Sequence, residues 1–251
     1  MKGKCNLCLK EKDLIKRSHI ISDFMYRNSG MYDEKHTINS FTLDDFLKGK
    51  KPKKDQSGIY DSYIFCADCD NKIINNYEKY ACLSIYGEDL KKELCPDCVV
   101  YGETNPDLTI CSNIDYKKFK LFLLSILFRA SISKNKFFDG IKLSKENTEI
   151  LRTMIYDGKP GNFNDFPFIM ATFATSEISP DIFINPIKSI QDGNIKFTFI
   201  FAGMSYVFYE GLNIDTKIIE PIIMKTDNEL KILHFNNDDA IKYLRSIMGL
   251  K

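Results

Sequence analysis

Two CxxC pairs, Cys5-Asn-Leu-Cys8 and Cys66-Ala-Asp-Cys69, stand on either side of His19. Each pair brings two thiolates to one metal, and two pairs complete a tetrahedral four-sulfur zinc site. Apolar residues flank both pairs, Leu7 and Leu9 at the first, Ile64 and Phe65 before the second. That setting suits a metal knuckle better than four scattered thiols, so Cys5, Cys8, Cys66 and Cys69 are the expected ligands of a structural zinc. His19 lies in Ser18-His19-Ile20-Ile21. An imidazole there is either packed between strands or a group that exchanges a proton near neutral pH. A third pair, Cys95-Pro96-Asp97-Cys98, has Cys82 and Cys111 at 13 residues on either side, a candidate second zinc set. The competing readings are a simply buried Cys82 and a redox pair at Cys95 and Cys98, around which no thioredoxin-like βαβ pattern is visible.

Composition limits what these residues can serve. The chain has 251 residues, 44% of them hydrophobic, with 19 Phe and 13 Tyr. That is enough core for one large domain or two small ones. Met1-Lys2-Gly3-Lys4-Cys5 leads straight into the first pair, without a signal peptide, and eight cysteines in a chain of this length do not read as a secreted disulfide framework. A reducing cytoplasm is the expected compartment. The longest apolar run, Leu121 to Phe128, is too short for a membrane span. A net charge of +1 gives no argument for nucleic acid. Charge is uneven, however: Lys10 to Arg17 and Lys48 to Lys54 are basic clusters near the zinc module, the second read either as a solvated loop or as a phosphate-backbone contact.

The elements that must position these groups are legible in outline. Residues 1–17 read as a zinc knuckle running into a short strand, and 26–58 as irregular apart from a weak helix at Leu43 to Lys48. Ile59 to Phe65 alternates as a strand entering the second CxxC. Asp70 to Ile85 has helical spacing, with Asp70 read also as its N-cap and Gly87 as the stop; Glu78 is read either as a solvated position or, sharing a face with Asn71 and Asn75, as a further metal ligand. Residues 87–112 read as an insertion or linker. Asp115 to Ser131 is a buried helix closed by Arg129, which either snorkels, pairs a buried carboxylate or reaches phosphate. A helix at Ser144 to Tyr156 follows. Strands are expected at Phe166 to Ala174, Ile182 to Ile190, Ile195 to Phe201, Ser205 to Tyr209, Lys217 to Met224 and Glu229 to Phe235. A hairpin turn is expected at Asp192-Gly193, and a closing helix at Asp238 to Met248. The expected fold class is α+β: an N-terminal zinc module over 1–86 and, over 113–251, a C-terminal α+β domain with an antiparallel sheet.

The order CxxC, histidine, strand, aspartate, CxxC, acidic residue, helix resembles the zinc-stapled branch of the HNH endonucleases, the ββα-metal or His-Me finger fold, over residues 1–86. His19 stands where that family has its histidine. Asp61, five residues before Cys66, stands where it has Asn, and Asp70, directly after Cys69, where it has a final His. Ser18 replaces the acid that usually precedes the histidine. The resemblance implies His19 as general base, Asp61 orienting it, and Asp70 as ligand of a catalytic Mg²⁺ or Mn²⁺, which prefer oxygen donors. It implies DNA as substrate, in a bacterial anti-phage or restriction setting, with the C-terminal domain selecting a protein partner or target. The alternative is a module that keeps the zinc ribbon but has lost the chemistry, and binds nucleic acid or a protein. Ser18 is the residue that favours it.

Overall fold

The computed structural model describes residues 1–86, 95–102, 107–247 and 249. Gly87, Met248 and the first part of the 87–112 segment lie outside them. The first CxxC sits in the turn of a hairpin, β1 (Lys2–Lys4) against β2 (Glu11–Asp13). A two-residue strand, β3 (Ser18–His19), leads through α1 (Asp23–Asn28) to β4 (Thr37–Ser40) and the short α2 (Leu43–Leu47). The chain returns through β5 (Lys53–Gln56), paired with β4, and β6 (Tyr60–Asp61), paired antiparallel with β3. Residues 26–58, read as irregular, thus contain the end of a helix and a hairpin. After the second CxxC, a π-helical segment (Cys69–Ile74) runs into α3 (Asn75–Tyr86).

Next come β7 (Asp97–Tyr101) and β8 (Leu108–Ser112), then α4 (Tyr116–Ile132), α5 (Lys145–Asp157), β9 (Phe168–Thr172), β10 (Ile184–Gln191), β11 (Asn194–Phe201), β12 (Met204–Tyr209), β13 (Leu230–His234) and α6 (Asn237–Ile247). Seven strands form one sheet in the order β10-β11-β12-β9-β13-β8-β7, antiparallel except where β13 runs parallel to β9. Residues 97–101 and 108–112 are therefore two strands of the main sheet rather than a linker. Asp192 (φ 49°) and Gly193 (φ 77°) both adopt positive φ between β10 and β11, the conformation a tight hairpin needs there. Lys217 to Met224 is not a strand. Pro221 offers no N–H to a ladder, and the amides of Ile222 and Ile223 bond the Ile219 carbonyl in successive turns.

The α4 helix is apolar all round and is buried accordingly. Asp115 caps it, accepting from the Lys118 amide at 2.9 Å. Its flanks join the two ends of the chain. Phe122 meets Phe24 of α1, Phe128 stacks on Phe65 beside the second CxxC, and Phe119 contacts Phe168 of the sheet. One hydrophobic core consequently runs from Cys5 to Leu230. The α6 helix packs through Ala240 and Leu244 on a smaller cluster with Phe173 and Ile200. Among the described residues, no helix is long and apolar enough to cross a membrane.

Candidate functional site

The two CxxC turns meet. The Sγ atoms of Cys5, Cys8, Cys66 and Cys69 all lie within 4.8 Å of one another, and this is the one cluster of three or more metal-type donors among the described residues. Cys8 and Cys66 sulfurs are 4.0 Å apart, close to the separation that tetrahedral bonds of about 2.3 Å impose. The Cys66 amide donates to the Cys5 sulfur at 3.4 Å. Burial pushes the Cys5 and Cys69 thiols up. Without a cation, three or four thiolates would not be stable in this setting; four sulfurs with backbone donors fit zinc, whose charge would make them so. The Leu14–Cys66 bridge and the Asn6 to Ile64 carbonyl bond at 3.0 Å tie the two turns together.

The sulfur cluster holds the next segment in register. Ser18 pairs with Asp61 and His19 with Tyr60 across β3 and β6. The π-helical segment that begins at Cys69 turns Asp70 back towards β3, where its Oδ1 accepts from Ser18 Oγ at 2.8 Å. Asp70 is not the cap of the helix that follows it. A cavity of about 270 Å³ opens here, lined among others by Arg17, His19, Asp70, Asn75, Glu78 and Arg129. Burial raises the Asp70 pKa, against the opposing influence of the Ser18 hydroxyl and the Arg129 charge. A half-desolvated carboxylate of this kind gains from a cation placed beside it.

His19 is oriented by the main chain. Its Nε2 lies 2.8 Å from the Ser57 carbonyl oxygen. A carbonyl only accepts, so Nε2 is the donor, and in the neutral ring the lone pair is on Nδ1. Ser57 itself adopts φ 60°, and Gly58 φ 74°; a Cβ on Gly58 would stand 2.6 Å from the buried Tyr26 ring. The local turn that aims the Ser57 carbonyl at His19 therefore requires glycine at position 58. Asp61 does not have the orienting role expected of it. Its Oδ2 accepts from the Lys134 amide at 2.8 Å, beyond the end of α4, and it does not line the cavity.

Two further residues join the site: Glu78 is not a solvated position, and Arg129 takes the buried-carboxylate alternative. Glu78 Oε1 accepts from Ser22 Oγ at 2.6 Å and from Arg129 at 2.8 Å. Arg129, 1% exposed, also donates to the carbonyls of His19 and Ser125 and to the hydroxyls of Ser22 and Ser125. It neither snorkels nor reaches solvent; it clamps α4 to β3 and α3. The arginine closing a run of apolar residues was the available signal, since a guanidinium in such a helix has to find a carboxylate.

Other expectations change. Cys98 and Cys111 are opposite residues of β7 and β8 and form a disulfide. The second zinc set of Cys82, Cys95, Cys98 and Cys111 is thereby removed. Cys82 instead lines the His19 cavity and accepts from Asn28 Nδ2. The Lys48–Lys54 cluster is largely neutralised on the spot: Lys48 pairs with Asp44, Lys50 with Asp45, Lys53 with Asp55 and Lys54 with Asp33. That is the solvated-loop reading. His36 stacks on Tyr32, and His234 bonds Thr109. No protein family, curated protein or solved structure matches this chain.

Proposed function

We propose that the chain is a metal-dependent nuclease of the HNH kind, hydrolysing phosphodiester bonds in DNA, with the four cysteines holding a structural zinc. The observation that carries the reading is the shared cavity: His19, its Nε2 engaged by the Ser57 carbonyl, and the Asp70 carboxylate line the same pocket beside the sulfur cluster. Imidazole Nδ1 takes the proton from an attacking water, the step a base of this type performs near neutral pH. The Ser57 carbonyl holds the ring and stabilises the positive charge it acquires. Arg17, at the cavity rim with its guanidinium over Tyr60, faces the anionic substrate.

Asp70 is the residue that would hold Mg²⁺ or Mn²⁺. His19, Asp70 and Glu78 do not converge into a three-donor cage, but Mg²⁺ is commonly held by one or two carboxylates, its waters and substrate phosphate. When bound, such a cation supplies positive charge at the scissile phosphate and leaving oxygen. Asp61, outside the cavity, is assigned no catalytic role.

A second reading has its own support. Ser18 already occupies one Asp70 oxygen, and Arg129 and Ser22 occupy Glu78. A zinc ribbon that binds DNA or a protein without cutting would keep these contacts as structure. Incubating the zinc-loaded protein with supercoiled plasmid and with RNA, in Mg²⁺ or Mn²⁺, separates the two. The nuclease reading expects cleavage by the parent and none by His19→Ala, with zinc content and melting unchanged. Equal cleavage by His19→Ala ends it. Retarded but intact DNA in both selects the binder.

A further inference from the structure

Lys79 of α3 lines two cavities. One is the His19–Asp70 pocket. The other, about 760 Å³, lies between α3 and the start of α4 and is the larger of the two. Successive stripes of α3 face them: Asn75, Glu78 and Cys82 line the first, while Asn76, Tyr80 and Leu83 line the second. Residues three and four apart share a helix face, so Lys79 stands on the ridge between them.

The larger cavity is basic. Its charged lining is Lys79, Lys117, Lys118 and Asp115. Asp115 is already engaged as the cap of α4, and its other oxygen lies 3.4 Å from Lys118 Nζ. Lys79 and Lys117 have no ion pair among the described residues. Asn76 and Asn228 add amide groups to the wall. The contrast is with the Lys48–Lys54 loop, where four lysines meet four carboxylates. In a chain with a net charge of +1, two lysines without an ion pair among the described residues, gathered with Lys118 in one concavity, mark where an anion is received.

We infer that this larger cavity receives backbone phosphates of the nucleic-acid strand that flanks the bond cut at His19. The direction of the strand rests on the proposed function; the binding does not. Crossing an α-helix with its side chains takes about 10–12 Å. At about 3.4 Å per nucleotide along one strand, the two cavities are then roughly three nucleotides apart. The lysines contact phosphate, so they confer affinity without sequence preference.

The test is the affinity of labelled single-stranded and duplex DNA, and of RNA, followed by fluorescence anisotropy as salt is raised. Ca²⁺ replaces Mg²⁺ so that nothing is cut. The comparison is between the parent and Lys117→Ala/Lys118→Ala, which retains the backbone amide that Asp115 caps. Loss of two phosphate contacts makes the log–log salt slope shallower by about 1.8 for duplex or about 1.4 for a single strand. Hydrolysis of bis(4-nitrophenyl) phosphate, too small to reach from one cavity to the other, stays at the parent rate. Unchanged affinity and slope in the double variant, or no oligonucleotide binding by the parent, overturns the inference. If the parent binds, the double variant binds less and neither cuts any phosphodiester, the phosphate cavity stands and the nuclease reading alone fails. Which of DNA and RNA shows the larger change identifies the strand.

Discussion

Arg129→Met is the substitution that tests how the site is held. The guanidinium makes five hydrogen bonds, to the Glu78 carboxylate, to two carbonyls and to two hydroxyls. Removing one member of a buried ion pair costs about 3–5 kcal/mol. Glu78 keeps its Ser22 donor and is 22% exposed at the side chain, so water reaches it and the lower end applies, about 3 kcal/mol. With an m-value of roughly 3 kcal/mol/M in urea, the midpoint falls by about 1 M. Glu78→Gln keeps both accepted hydrogen bonds but strands the arginine charge, at about 2 kcal/mol. Replacing both residues with Met leaves neither charge unpaired, so the double variant loses less than the two singles together, by about 1–3 kcal/mol. The chain has no Trp, so unfolding is followed by far-ultraviolet circular dichroism in zinc-saturated buffer. A loss below about 1 kcal/mol for Arg129→Met, or strict additivity in the double variant, refutes the clamp.

Three further outcomes are expected. Gly58→Ala drives a Cβ into the Tyr26 ring at a position of positive φ; it lowers stability by about 1–3 kcal/mol and, by moving the Ser57 carbonyl, lowers cleavage more than His19-independent DNA binding, read from kcat and anisotropy together. Lys120 is buried, donates to the Asn162 carbonyl at 2.5 Å, and burial pushes its pKa down to about 7. Its folded pKa is below its unfolded value, so folding releases a proton between about pH 7 and 10.5 and stability rises with pH there; urea midpoints of the wild type should gain on those of Lys120→Met from pH 7 to 10, and a gain in the opposite direction contradicts the assignment. Stripping zinc unfolds the β1–β2 and second CxxC turns, so metal analysis gives one zinc per chain and a chelator lowers the melting temperature, whereas a Cys66→Ser chain shows no such response; two zinc ions per chain would contradict the Cys98–Cys111 disulfide.

What the sequence disclosed was what short-range spacing encodes. A CxxC is a local chelate, so four ligands of the cluster could be read before any fold was known. The apolar run of α4, the Ser144 cap of α5 and the Asp192-Gly193 turn are also local signals. Long-range pairings are not encoded that way. Asp61 meets Lys134 across 73 residues and Arg129 meets Glu78 across 51, so the first seemed a support for His19 and the second a solvated helix position. Lys217 to Met224 has the apolar content of a strand, but Pro221 and the bonds to the Ile219 carbonyl turn it aside. The parallel pairing of β13 with β9 places β8 and β7 beyond it, which is why a polar stretch that looked like a linker carries strands of the main sheet. His19 and Asp70 share a cavity because the sulfur cluster fixes β3 against the Cys69–Ile74 segment.

The claim at the centre is that the His19–Asp70 cavity, separate from the sulfur cluster, holds the reactive cation. Mn²⁺ titrated into zinc-loaded protein and followed by electron paramagnetic resonance tests it directly. One Mn²⁺ should bind per chain beyond the zinc, and Asp70→Asn, which still accepts from Ser18, should lose that binding with its zinc content and melting temperature retained. Mn²⁺ binding that is absent from the parent, or unchanged in Asp70→Asn, contradicts it.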